Sequence, residues 1–196
     1  MASMSGTLFD ADVPSGFEYR SAFLSPVEES ALAAAIRDVK FSAFEMRGVV
    51  AKRRVAFFGE SYDRSAAVPL PDFLLPLRAR LAEWARVEPA AFAMALINQY
   101  PPGAPIGWHR DAPQYDAVAG VSLLAPCQMK FRPYLRPGGR GGADQRRRAT
   151  HAITLEPRSA YLMIGTARTE YEHHIPAVNA FRYSVTFRTL RPSATG

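Results

Sequence analysis

The sequence predicts a mainly β protein, built as a sandwich or a small barrel, with α-helices ahead of the strands. Three observations lead to this fold class. Two segments in the first half have helical spacing, the hydrophobic pattern changes to a period of two beyond residue 92, and proline and glycine turns interrupt the later segments. The 196 residues, of which 48% are hydrophobic, are enough for one complete core. We therefore expect a single domain over 1–196, with 1–16 as a flexible tail.

The predicted helices have clear boundaries. Ser25 is a capping serine, Pro26 stands at the first helical position and Glu28 follows three residues after the cap, so a helix should run on towards Lys40. A second helix is predicted over 72–86, where large apolar residues recur at helical spacing at Leu74, Leu77, Leu81 and Trp84.

The predicted strands are short and follow the helices. They cover residues 93–100, 119–124, 128–134, 152–156, 160–164 and 182–189. Residues 136–148 lie between two of them and contain four glycines and five arginines, so they predict an exposed, basic, mobile loop.

Charge and cysteine content narrow the function classes. The 24 Lys and Arg against 18 Asp and Glu give a net charge of +6, which favours a polyanion such as nucleic acid, or an anionic membrane surface, as partner. The first 16 residues lack a basic leader, and no apolar run approaches the roughly 18 residues of a membrane span. We expect a soluble, cytoplasmic monomer. With Cys127 as the one cysteine, a bound metal would need imidazole and carboxylate ligands.

A candidate metal site begins at His109-Arg110-Asp111. Residues two apart in an extended segment share a face, so His109 and Asp111 can point at one ion. A distant second histidine would complete a facial triad of two imidazoles and one carboxylate, which leaves positions open for dioxygen and a chelating co-substrate. The alternative is a polar turn after a strand.

The strongest pattern is the alternation in residues 182–188. It places Arg182, Ser184 and Arg188 on one face and apolar side chains on the other. If the polar face lines a barrel, the two arginines form a clamp suited to a dicarboxylate. Asn98 and Tyr100 also share a face and could hydrogen-bond the same carboxylate. The alternative is an edge strand with two solvated arginines.

Four motifs together resemble the AlkB family of iron(II)- and 2-oxoglutarate-dependent dioxygenases. In order they are NQYPPG at 98–103, HRD at 109–111, EHHIP at 172–176 and RYSVTFR at 182–188, and the resemblance spans about residues 40–190. It implies a double-stranded β-helix (a jelly-roll, cupin-like core) with N-terminal helices beside it. It also implies that the protein uses Fe(II) as cofactor and 2-oxoglutarate as co-substrate.

The resemblance also implies roles for single residues. The implied iron ligands are His109, Asp111 and His173, and the implied co-substrate contacts are Asn98, Tyr100, Arg182, Ser184 and Arg188. Arg182 corresponds to the arginine that pairs with the distal carboxylate. Because His174 is adjacent to His173, it should point away from the metal in an extended segment. His151 receives no role.

Residues 52–62 resemble the family's nucleotide-recognition lid, which implies substrate contacts from Arg54 and Tyr62. The aromatic residues Phe57 and Phe58 fit equally well in a strand packed on the core. One position departs from the family pattern. An acidic residue usually follows the metal-binding aspartate two places later in nucleic-acid demethylases, whereas Pro113 stands here.

In the basic loop, we expect Arg146, Arg147 and Arg148 to contact phosphates; the alternative is a solvated loop. The implied reaction is oxidative dealkylation of N-alkylated bases in DNA or RNA, as in alkylation repair. Two rivals remain. One is the same iron chemistry on a modified transfer-RNA base, a protein or a small molecule. The other is a catalytically dead barrel that binds nucleic acid through its charge alone.

Overall fold

The fold is seen in a computed structural model that describes residues 13–46, 48–60, 68–135 and 150–191. The strands are β1 (Phe17–Arg20), β2 (Ser42–Met46), β3 (Val49–Gly59), β4 (Phe92–Tyr100), β5 (Ile106–His109), β6 (Tyr115–Leu123), β7 (Cys127–Pro133), β8 (His151–Leu155), β9 (Ala160–Met163), β10 (Tyr171–Ile175) and β11 (Arg182–Leu190). The helices are α1 (Pro26–Arg37), α2 (Leu75–Ala85) and α3 (Gly165–Thr169), with 3-10 turns at Asp72–Leu74 and Pro89–Ala91.

The strands form two antiparallel sheets, which confirms the predicted mainly β jelly-roll with N-terminal helices. The large sheet has the order β1-β9-β6-β11-β4-β3-β2, and the small sheet has the order β5-β10-β7-β8. One buried cluster takes residues from both sheets, including Phe17, Met129 and Phe131. The sheets therefore face each other across a shared interior, and the site lies at one end of it.

Both predicted helices are confirmed, and both cover the outer face of the large sheet. In α1 the Ser25 hydroxyl accepts from the Glu28 N–H and the Glu28 carboxylate accepts from the Ser25 N–H, so the capping box is complete. The second predicted helix begins with a 3-10 turn. Ile36 and Leu81 pack with Val185 of β11 in one apolar cluster, which ties the helices to the sheet.

Strand β11 is central in the large sheet, between β6 and β4. The alternative of an edge strand with solvated arginines is therefore wrong. Tyr183, Val185 and Phe187 pack under the helices. The alternate residues lie on the inner face, and Arg182 is fully buried there.

The sequence does not predict β1, β2, β5, β10 and α3, and β3 corresponds to the strand given only as an alternative for Phe57 and Phe58. Residues 13–16, expected in the flexible tail, are hydrogen-bonded into the fold, since Ser15 and Gly16 accept from the N–H groups of Ala167 and Ile164. Residues 1–12, Tyr62 and the predicted loop 136–148, with Arg146, Arg147 and Arg148, lie outside the described residues. Within the described ranges, the helices are too short or too polar to cross a membrane.

Candidate iron and co-substrate site

Two neighbouring strands of the small sheet bring the two candidate histidines together. His109 ends β5 and His173 lies in β10, and the two residues are direct cross-strand partners with ring centroids 4.2 Å apart. Asp111 follows two residues after His109, and its Oδ2 lies 3.7 Å from His173 Nε2. The fold thus brings together the three side chains proposed as iron ligands.

A buried ion pair fixes the Asp111 carboxylate. Arg188 of β11 donates to Asp111 Oδ1 from Nη2 at 2.7 Å and from Nε at 2.8 Å. Burial alone would raise the pKa of Asp111, but the positive charge of Arg188 and its hydrogen bonds to the carboxylate hold this pKa well below its usual range. Asp111 is therefore a carboxylate at neutral pH, as a metal ligand must be.

The two imidazoles are neutral because they are buried. Burial lowers the pKa of His173 to about 3, with repulsion from His109 acting in the same direction. Burial also lowers the pKa of His109, although Asp111 partly offsets it. His109 Nδ1 lies 2.9 Å from the Gly107 carbonyl oxygen, so Nδ1 carries the proton and Nε2 is left as the donor atom for a metal.

The unsatisfied atoms at this place fit an iron ion and a carboxylate ligand. Within the described part of the chain, Asp111 Oδ2 is buried without a hydrogen-bond partner, and so are Arg182 Nε and Nη1. Buried polar atoms are costly without a partner, so their presence marks where a cation and an anion would bind. Among the described residues, no three His, Cys, Asp or Glu side chains are arranged closely enough to form a complete metal site. Asp111 Oδ1 is bonded to Arg188, which leaves Oδ2 as the oxygen for a metal.

Arg182 is fully buried on the inner face of the large sheet. Its Nη2 donates to Ser122 Oγ at 2.9 Å, and its guanidinium carbon lies 4.6 Å from the centre of the Tyr100 ring. Asn98 Nδ2 donates to Ser184 Oγ at 3.3 Å, and the Tyr100 hydroxyl lies 3.4 Å from the same oxygen. These polar groups surround one end of the pocket, where a dicarboxylate would meet the unpartnered donors of Arg182.

The pocket has a volume of about 400 Å³ and receives residues from both sheets. Its outer part is lined by Phe44, Arg53 and Phe57, and Phe57 is 43% exposed. The Arg53 guanidinium carbon lies 4.1 Å from the centre of the Phe44 ring. An aromatic wall with one cation thus stands on the open side of the candidate ligands.

The comparisons with known proteins decide the family. Residues 35–188 match the 2OG-Fe(II) oxygenase superfamily, which is most of the chain. The chain belongs to the 2OG-Fe(II) oxygenase superfamily. The superfamily match supports Fe(II) as cofactor and 2-oxoglutarate as co-substrate of this oxygenase.

A curated relative supports the AlkB resemblance within the superfamily. The oxygenase is 27% identical over 174 residues to the alkylated DNA repair protein ALKBH8 homolog of Arabidopsis thaliana, a match that covers 79% of this chain and 49% of the relative. The chain thus spans about half the length of that relative. The similarity adds to the four ordered motifs and confirms that this oxygenase is AlkB-like.

Two solved structures share the fold. The structure of OsALKBH1 superposes with a TM-score of 0.63 at 13% identity and covers 90% of this chain and 99% of its own. A Pseudomonas putida prolyl-4-hydroxylase superposes with a TM-score of 0.61 at 14% identity and covers 90% of this chain and 94% of its own. At such identities the likeness describes the fold alone.

The structure places one lid residue, Arg54, differently from the sequence prediction. Arg54 donates to the Phe41 carbonyl oxygen at 2.6 Å and does not line the pocket. Arg53 takes the pocket-facing position. Phe58 is buried in the cluster under the helices, as expected for a strand packed on the core. Phe57 instead lines the pocket, as expected for a residue of the lid.

The remaining histidines of the oxygenase lie away from the pocket. His174 Nδ1 lies 2.5 Å from the Ile106 carbonyl oxygen, and its ring stacks on Trp108 with centroids 5.0 Å apart. This position agrees with the expectation that His174 points away from the metal. His151 packs near Tyr171, with ring centroids 5.8 Å apart.

One residue that holds the site in place was missed from sequence. Arg168 of α3 is buried and donates from Nη2 to the carbonyl oxygens of Ala112 and Tyr115. It thereby fixes the segment that follows Asp111. The sequence around Arg168 does not indicate this role, because the carbonyl groups that it binds lie more than 50 residues away along the chain.

Proposed function

We propose that this oxygenase removes alkyl groups from N-alkylated bases in DNA or RNA. The observation that carries the proposal is the pocket's open side, where Phe44, Phe57 and Arg53 stand next to the candidate ligand Asp111. Aromatic side chains stack on bases irrespective of sequence, and a flipped base needs such a wall beside the reactive centre. The net charge of +6 suits a phosphate-bearing substrate.

In this proposal His109, Asp111 and His173 hold the iron. When bound together with 2-oxoglutarate, ferrous iron and dioxygen supply an oxidant that hydroxylates an N-alkyl carbon, with succinate and carbon dioxide as co-products. The hydroxylated carbon then carries both nitrogen and oxygen, so it breaks down to an aldehyde and the unmodified base. The protein contributes neutral imidazoles and a charged Asp111 that are fixed before the metal arrives.

The co-substrate is oriented by the inner end of the pocket. Arg182 has two donors, Nε and Nη1, without a partner among the described residues, and one of them would donate to the distal carboxylate of 2-oxoglutarate. Tyr100, Asn98 and Ser184 supply hydroxyl and amide groups beside it. Because Arg188 is engaged with Asp111, its main role here is to orient that ligand and keep it ionised.

The Arabidopsis relative is an alkylated DNA repair protein by name, which supports a nucleic-acid substrate. The fold does not make this choice, since the prolyl-4-hydroxylase superposes almost as well as OsALKBH1. A protein side chain, a modified transfer-RNA base and a small molecule are the competing substrates. The aromatic and cationic wall favours a base over an aliphatic side chain.

The test is a screen of DNA and RNA oligonucleotides that each carry one methylated base. Incubation with ferrous iron and 2-oxoglutarate should give loss of the methyl group by mass spectrometry, formaldehyde release and one succinate per base repaired. The Asp111→Ala variant is the control for enzyme-dependent loss. Turnover of 2-oxoglutarate on a peptide or a free metabolite, with all oligonucleotides unchanged, would contradict the proposal.

A further inference from the structure

We propose, resting on the proposed function, that the target base is uncharged when bound and presents a ring carbonyl oxygen to Arg53. The inference concerns the outer half of the pocket, next to the candidate iron ligands. It divides N-alkylated bases into two chemical classes. Bases such as 1-methyladenine and 3-methylcytosine carry a positive charge, whereas 3-methylthymine and 1-methylguanine are neutral and carry ring carbonyls.

Arg53 is held in place from inside the protein. Its Nε donates to Asn98 Oδ1 at 3.2 Å, and its guanidinium lies over the Phe44 ring at 4.1 Å. None of the ion pairs formed within the described part of the chain includes Arg53. Since Nε is used, the Nη donors remain to meet a substrate acceptor in the pocket that Arg53 lines.

The charge of the surrounding wall opposes a cation. The described residues that line the pocket include four guanidinium groups, at Arg53, Arg110, Arg182 and Arg188, and one carboxylate, at Asp111. That carboxylate is already paired with Arg188 and is a candidate metal ligand. Ferrous iron and the 2-oxoglutarate dianion carry equal and opposite formal charges, so their binding leaves the excess of positive charge in place.

The segment after Asp111 adds no compensating acid. Ala112 and Pro113 line the outer cleft, and neither can accept a hydrogen bond through its side chain. Glu172 also lines that cleft, but it is bound to Arg132 at 2.7 Å. A positively charged base entering here would lose water and gain no free carboxylate from the described residues that line the cleft, which disfavours its binding.

A neutral base with a carbonyl oxygen should bind favourably at the same place. Its flat ring matches the aromatic faces of Phe44 and Phe57, and its oxygen can accept from the guanidinium that is already fixed. Two like charges a few ångströms apart in a half-buried pocket repel by more than the energy of a tenfold change in affinity. We therefore expect neutral bases to bind at least about tenfold more tightly than cationic ones.

The experiment uses four oligonucleotides that share the same flanking sequence. Each carries one of the four methylated bases named above at the central position, and an unmodified strand serves for comparison. Binding is measured by fluorescence anisotropy with the full protein loaded with Mn²⁺ and 2-oxoglutarate, and demethylation is measured separately with ferrous iron. We expect tighter binding and faster demethylation for 3-methylthymine and 1-methylguanine. Equal affinity for the two classes, or a preference for the cationic class, overturns the inference while the proposed function stands.

Variants of Arg53 separate charge from hydrogen bonding. Arg53→Gln should reduce the preference for neutral bases to about threefold or less, whereas Arg53→Lys should still exclude the cationic bases but bind the neutral ones more weakly. Arg54→Gln is the matched control and should leave the preference unchanged, since Arg54 bonds the Phe41 carbonyl outside the pocket. A preference that survives Arg53→Gln overturns the role of this residue. If the wild type demethylates none of the oligonucleotides and binds them no better than the unmodified strand, the proposed function fails too.

Discussion

Arg182→Lys is the substitution that most directly probes the co-substrate pocket. Arg182 is fully buried, its Nη2 is bonded to Ser122, and its Nε and Nη1 have no partner among the residues that the structure describes. Lysine keeps the charge but offers a point donor in place of a planar fork. The carboxylate of 2-oxoglutarate should therefore lose a hydrogen bond that the fixed guanidinium donates.

The size of the effect follows from the geometry. A hydrogen bond to a charged group contributes about 1.5–3 kcal/mol, so its loss should raise the Kd and the KM for 2-oxoglutarate about 10- to 150-fold. Ligand binding also stabilises the folded state. A co-substrate present at about 100 times its Kd adds about 2.7 kcal/mol to the free energy of unfolding, but only about 0.4 kcal/mol after a hundredfold rise in Kd.

Two assays check this expectation: the KM for 2-oxoglutarate from succinate formation, and the shift in Tm that 2-oxoglutarate causes in the Mn²⁺-loaded protein. Arg80→Lys is the control, because Arg80 is exposed on α2 and pairs with Glu28. If Arg182→Lys keeps both the wild-type KM and the wild-type Tm shift, Arg182 does not bind the co-substrate.

Three further predictions concern other parts of the chain. Replacing Arg146, Arg147 and Arg148 by alanine should weaken nucleic-acid binding alike for all sequences and flatten its salt dependence, by a slope of about 0.7–0.9 for each phosphate that is no longer neutralised; identical slopes in binding isotherms would remove the loop from the interface. Ser25→Ala should lower the free energy of unfolding in urea by about 1 kcal/mol, because it removes the helix cap. Arg168→Met should lower the same quantity by about 2 kcal/mol, because two carbonyl oxygens lose their donors; an unchanged unfolding midpoint would contradict either estimate.

The sequence was most informative where one strand face differs strongly from the other. In β11 the arginines alternate with Tyr183, Val185 and Phe187, so the apolar residues could only face a core and the arginines an interior pocket or solvent. In the structure the arginines face the interior pocket, because β4 and β6 lie on either side of β11. The sequence of one strand does not show which strands will be its neighbours.

The same reasoning could not choose between the two faces of β3. One face carries Arg53 and Phe57, and the other carries Arg54 and Phe58, so both hold an arginine and an aromatic residue. The pairing of β3 with β4 determines which face lines the pocket. Phe57 lies opposite Leu96 on the pocket face, and Phe58 lies opposite Ala95 on the core face.

Short strands were missed for a related reason. Strand β1 has four residues and exists through its pairing with β9, which lies more than 140 positions later. Strand β10 contains the polar run Glu172-His173-His174, which has no period-two pattern of hydrophobicity. Such elements are specified by long-range partners, so local propensity does not predict them.

We propose that His109, Asp111 and His173 hold the iron that drives 2-oxoglutarate turnover. The most direct measurement is succinate formation from 2-oxoglutarate with ferrous iron and dioxygen, in the wild type, in alanine variants of the three ligands and in His174→Ala. We expect no succinate above background from the ligand variants and most of the wild-type rate from His174→Ala, whose side chain is bonded to Ile106 on the other face of β10. Full turnover by His173→Ala, together with its loss in His174→Ala, would show that His174 and not His173 binds the iron.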